Sequence, residues 1–139
     1  MSEEQAQRLM QQMQMLETYF TDLSQREGTL LNVLREAISA IDSIKAIRQK
    51  PDSETLVPIG MGTFIHTKIS SNEKIVLNMG AGVAMEKTYD SAINYLEVKI
   101  KEIEVALQDT SAKKQEAVAR LEQGREQLNM LMQETSQSH

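Results

Sequence analysis

Residues 56–69 read LVPIGMGTFIHTKI, and residues 75–87 read IVLNMGAGVAMEK. Both runs are built alike: an apolar stretch, a Gly-x-Gly triplet, then a second stretch. In the first run, Leu56–Ile59 is followed by Gly60-Met61-Gly62 and then by Thr63–Ile69. Alternation there puts Ile65 and Ile69 on one face and Phe64, His66 and Lys68 on the other. In the second run, Ile75, Leu77 and Met79 alternate up to Gly80-Ala81-Gly82, and Val83–Met85 begins a last strand. Between the runs, Ser70-Ser71-Asn72 is a turn signal, because short polar side chains bond to nearby backbone. Alternation of period two broken by glycine turns predicts four short strands, paired as two β-hairpins in series.

The composition changes on either side of this region. Residues 51–87 hold both prolines and four of the six glycines, whereas residues 2–50 hold no proline and one glycine. Alternating steps of four and three through the first stretch pick out Leu9, Met13, Leu16, Phe20, Leu23, Glu27, Leu30, Leu34, Ala37, Ile41, Ile44 and Arg48, ten of them apolar. The same steps through the last stretch pick out Ile93, Leu96, Ile100, Ile103, Leu107, Thr110, Lys114, Ala117, Leu121, Gly124, Leu128 and Leu131, nine of them apolar. Stripes sustained over five heptads are coiled-coil seams. Ser2, followed by Glu4 and Gln5, offers a helix start, and Pro51 disfavours helix at Lys50. Thr88 is a fit N-cap, with Asp90 where the helix dipole favours negative charge. The chain therefore reads as one unit of four segments. A helix spans 2–50, two hairpins 51–87 and a second helix 88–133, and a polar tail at 134–139, ending in His139, is expected to fray.

Helix, compact β region, helix of equal length is an arrangement that folds back on itself. The fold class expected is mostly α, a long antiparallel two-helix coiled coil with two β-hairpins at its connected end. Facing residues then carry numbers that sum to roughly 140, and Glu27, the polar interruption of the first seam, falls opposite Thr110–Lys114. Polar seam residues at matched height fix register. Each helix is about 70 Å long at 1.5 Å per residue, and both termini lie at the end away from the hairpins. Six of the nine methionines (Met1, Met10, Met13, Met15, Met130 and Met132) collect there, beside Leu9, Leu16, Leu128 and Leu131. Methionine is flexible and polarizable and suits surfaces that accept many partners. The hairpins are too small for a core of their own, so Ile65, Ile69, Ile75, Leu77 and Met79 are expected to form an assembly face. The alternative is that these side chains pack only on their own coiled coil.

Several functions are argued against. The chain has 139 residues, a formal net charge of −5, no cysteine and 4% aromatic residues. Without cysteine there is no disulfide framework, thiolate metal site or cysteine nucleophile. A net acidic chain with no basic patch is poorly suited to nucleic acid. No apolar run is long enough for a bilayer, and the first thirty residues lack a secretory pattern. The two Gly-x-Gly triplets match no phosphate-cradling loop, His66 stands alone, and a two-helix coil has no enclosed pocket for catalysis. No cofactor and no enzymatic activity are expected.

The stretches Leu56–Gly60, Ile75–Thr88, Ala92-Ile93 and Tyr95-Leu96 resemble the α-class subunit of archaeal prefoldin. The two hairpins match that class, whose β-class relatives carry one. The resemblance implies a hexamer of two α and four β subunits, with the hairpins building an inter-subunit β-barrel platform. It implies an ATP-independent cytoplasmic chaperone that holds unfolded or nascent polypeptides at the coil tips and passes them to a group II chaperonin. The family's client contact at the distal ends carries over onto Leu9, Met10, Met13, Leu128, Leu131 and Met132. The rival reading is a coiled-coil scaffold or tether, which needs the helices but neither the hairpins nor the methionine-rich tip.

Overall fold

The computed structural model describes residues 2–70 and 74–137. Two long helices, α1 (Ser2–Gln49) and α2 (Tyr89–Gln137), flank four strands. These are β1 (Glu54–Gly60), β2 (Thr63–Lys68), β3 (Ile75–Gly80) and β4 (Val83–Lys87). The strands pair as two separate antiparallel hairpins, β1 with β2 and β3 with β4. Of the turn signal at Ser70-Ser71-Asn72, the last two residues lie outside the described residues, as does His139.

Helix α1 stops two residues before Pro51, whose ring disfavours helical backbone at its predecessor. Helix α2 starts as its cap predicts: the Thr88 hydroxyl oxygen accepts from the Ser91 N–H at 3.2 Å. It runs on to Gln137, past the boundary placed at residue 133. Gln133 and Glu134 are good helix formers, so polarity alone does not end it.

Both hairpins turn in the same way. Positive φ is taken by Gly60, Met61 and Gly62 (123°, 50° and 74°) and by Gly80, Ala81 and Gly82 (90°, 52° and 76°). A two-residue loop with both central residues left-handed matches the twist of its strands. Glycine supplies that conformation without a side-chain clash, whereas Met61 and Ala81 adopt it at some cost. The register shifts by one residue at Pro58/Gly60 and again at Asn78/Gly80. The second shift is held by the Gly80 N–H, which donates to Asn78 Oδ1 at 3.0 Å.

The chain divides into two compact units, Val33–Ile103 and the pair of segments Met1–Asn32 and Glu104–His139. In the first, the hairpin unit, Ile41, Ile44, Ala92 and Ile93 are buried together, with Ile75, Leu77, Tyr89, Leu96 and Ile100 packed on them. Arg48 leaves the seam and binds Asp90 at 2.8 Å, while Ile47 takes the half-buried position beside it. The Tyr89 hydroxyl donates to the Ser70 carbonyl at 3.1 Å, and the Asp52 N–H donates to the Ile69 carbonyl at 2.9 Å. These bonds tie the hairpins to the helix ends that carry them.

In the terminal unit the two helix segments run antiparallel along the expected seam. Leu23, Thr110 and Ala117 are buried, and the Thr110 hydroxyl donates to the Ala106 carbonyl at 2.8 Å. Lys114 Nζ reaches Glu27 Oε1 at 3.1 Å with both side chains partly buried, and the same ammonium lies 5.1 Å from the Phe20 ring centre. A β-carbon added to Gly124 would stand 3.0 Å from Met13 Cγ. The absence of a side chain at Gly124 lets Met13 fill the seam.

Candidate functional site

Two surfaces stand out, one in each unit. In the terminal unit, open grooves flank the seam. One, about 660 Å³, has Leu9, Met13, Met15, Leu16 and Gly124 on its walls and Tyr19, Arg120 and three glutamines around them. Another, about 680 Å³, is lined by Met10, Met13, Leu128 and Glu17 among glutamines. A third, about 430 Å³, brings Leu9, Met130 and Leu131 together with Arg8 and Glu134.

Of the six residues singled out at the tip, Leu9, Met13, Leu128 and Leu131 are half-buried in the seam. Met10 and Met132 point outward, 57% and 62% exposed, as do Met15 and Met130 at 73% and 64%. The seam residues line the grooves together with Met10, Met15 and Met130, while Met132 lies exposed in the same unit. Met15, Met130 and Tyr19 belong to this surface although the six did not include them. Their heptad positions outside the seam were the available signal.

The hairpin surface differs from its expected form. Ile75 and Leu77 are half-buried against the core of their own unit. Ile69 follows β2 instead of lying within it and lines a hollow with Ala46 and Ile47 of α1. For these three the chain itself supplies much of the cover, which was the alternative reading. Ile65 and Met79 remain exposed. The strand register then places further apolar side chains on open faces. Val57 pairs with Ile65, and Pro58 with Phe64, on opposite faces of the first hairpin. Leu56, Val57, Phe64, Val76, Val83 and Met85 are all exposed. For Leu56 and Val57 the signal was the unbroken run Leu56–Ile59, which places apolar side chains on both faces of a strand.

The chemistry of these surfaces is that of contact. His66 is an exposed strand residue opposite Leu56. Among the described residues no group of three or more His, Asp or Glu is placed to hold a metal ion. No helix among the described residues is long and apolar enough to cross a membrane.

Two long helices with two antiparallel hairpins between them define the architecture, and comparison with known proteins places it. Residues 2–137 match the family described as Prefoldin subunit. A curated prefoldin subunit alpha from Nitrosopumilus maritimus is 67% identical over 138 residues, covering 99% of this chain and 95% of that protein. The fold is shared with a filamentous prefoldin from Methanocaldococcus jannaschii determined by cryo-EM. That match has a TM-score of 0.69 and 20% identity, covering 79% of this chain and 92% of the other. It is also shared with the prefoldin beta subunit from Thermococcus strain KS-1, at a TM-score of 0.62 and 18% identity, covering 91% and 90%. The chain belongs to the prefoldin family, whose members are chaperone subunits and not enzymes. Within that family its resemblance is to the archaeal alpha subunits.

Proposed function

We propose that this chain is the alpha component of a cytoplasmic, ATP-independent prefoldin, a hexamer of two alpha and four beta subunits. In this reading the hairpins join those of beta-class partners in a β-barrel platform. The terminal units hold unfolded or nascent polypeptides and release them to a group II chaperonin. The supporting observation is the set of apolar grooves in the terminal unit, lined by the exposed methionines Met10, Met15 and Met130, together with the fourth exposed methionine of that unit, Met132. An unfolded chain presents apolar side chains in no fixed order, and its binder needs side chains that readjust. Methionine, with three rotatable bonds and a polarizable sulfur, meets that need. Several such units in one oligomer raise avidity without new contacts.

The test is a deletion of roughly the first ten and last ten residues, which takes away Leu131 and three of those four methionines, Met10, Met130 and Met132. The shortened chain is expected to assemble with beta-class subunits at full stoichiometry by light scattering, yet to suppress aggregation of an unfolded client poorly. Equal protection by the shortened and full-length proteins overturns the reading and favours a scaffold or a binding surface elsewhere.

A further inference from the structure

The formal charge of −5 is not spread along the chain. The hairpin unit, Val33–Ile103, holds nine Asp and Glu against nine Lys and Arg, and is neutral. The terminal unit holds eleven against six, so the whole surplus falls there. Three of its six bases are already engaged: Lys113 with Asp109 at 3.0 Å, Lys114 with Glu27 at 3.1 Å, and Arg120 with Glu116 at 2.9 Å. Carboxylates border two of the three apolar grooves, whereas the groove of Met15 and Leu16 is bordered by Arg120, which Glu116 engages. Glu17 lines the groove of Met10 and Met13, and Glu134 lines that of Leu9 and Met130. Arg8 shares the second groove, so the field comes from the surplus and not from one carboxylate.

Resting on the function proposed above, we infer that the terminal unit selects among unfolded segments by charge. Its preferred occupant is a stretch in which large apolar side chains are interspersed with Lys or Arg. The groove floors carry no charge and accept any apolar side chain of fitting size. An acidic surround adds attraction for cationic segments and repulsion for acidic ones, and it acts over about a Debye length, ~8–10 Å at ordinary ionic strength. Complementarity of this kind governs encounter rate and partner choice more than contact area does.

The experiment uses the full-length protein and two fluorescent unfolded peptides with identical Leu and Phe positions, one spaced by Lys and the other by Glu. Anisotropy titration at low salt is expected to give about tenfold tighter binding of the Lys peptide. The gap should shrink to near parity at ~0.5 M salt, where screening shortens the field to a few ångströms. A variant carrying Glu17→Gln, Glu122→Gln, Glu126→Gln and Glu134→Gln keeps strong helix formers at all four positions. It should narrow the low-salt gap several-fold while helix content by circular dichroism stays constant. The salt series tests the inference independently of that variant. Equal binding of both peptides at low salt, or tighter binding of the Glu peptide, overturns the inference. If equal binding is lost on deleting the terminal residues, the grooves still bind clients and only charge selection fails. Binding of neither peptide, or binding that survives the deletion, removes both readings.

Discussion

The two helical glycines look alike in sequence, and their surroundings separate them. A β-carbon added at Gly28 would meet nothing within 4 Å, whereas at Gly124 it would meet Met13 Cγ at 3.0 Å and Sδ at 3.2 Å. Alanine in an exposed helix is worth about 1 kcal/mol over glycine. Gly28→Ala is expected to raise stability by about that amount. Gly124→Ala is expected to yield clearly less, because Met13 must move out of the seam. Thermal unfolding of both variants checks this, and a larger gain at Gly124 would contradict the packing. At the same scale, the pairing of Glu27 with Lys114 was legible because a polar seam residue predicts a partner at matched height, and the antiparallel register supplied Lys114. The exchange of Arg48 for Ile47 at the seam's end was not. Arg48 leaves the stripe for Asp90, a residue on the other helix that heptad counting within one helix does not weigh.

Strand β3 carries two kinds of apolar position. Val76 is 64% exposed, while its neighbour Leu77 packs against the core of its own unit. A Val76→Glu, Phe64→Glu variant is therefore expected to keep its helix content and melting temperature as an isolated chain but to fail to assemble, since burying unpaired carboxylates at an interface is costly. Leu77→Glu should instead lower the stability of the isolated chain by about 2 kcal/mol or more. Light scattering paired with thermal melts separates the two effects, and full assembly of the double variant would contradict an interface on those faces. The two Gly-x-Gly turns and their four strands were readable from sequence because positive φ demands glycine and strand pairing demands alternation. Which apolar residues face inward was only partly readable. Ile75 and Val76 are chemically near-equivalent, and only the packing of β3 on Ile41, Ile44 and Ala92 distinguishes them. Tertiary contact, not strand propensity, makes that choice.

On the scale of the whole molecule, the chain exposes more surface than its mass requires. Its accessible surface is 10741 Å², against about 7300 Å² for a compact monomer of 15.7 kDa. Its buried apolar residues among those described are Leu23, Ala37, Ile41, Ile44, Ala92, Ile93 and Ala117, three of them alanines. A fully buried isoleucine or leucine contributes roughly 1.5–3 kcal/mol, and alanine far less, while each ordered residue loses about 1–2 kcal/mol of backbone entropy. Stability must then come largely from half-buried seam residues and from whatever covers the strand faces. Anything that binds only the folded chain stabilises it in proportion to the logarithm of its concentration over Kd. The isolated chain is therefore expected to melt at a low temperature, and addition of a beta-class prefoldin subunit should raise its Tm in a concentration-dependent way. At a partner concentration a hundredfold above Kd the gain is about 2.7 kcal/mol per site, large enough to read as a shift of several degrees. The Val76→Glu, Phe64→Glu variant should show no such rise. Calorimetry of the chain alone, of the mixture and of the variant mixture decides the matter. If the Tm of the native chain is the same with and without the partner across that range, its exposed strand faces are not where folding and assembly are coupled.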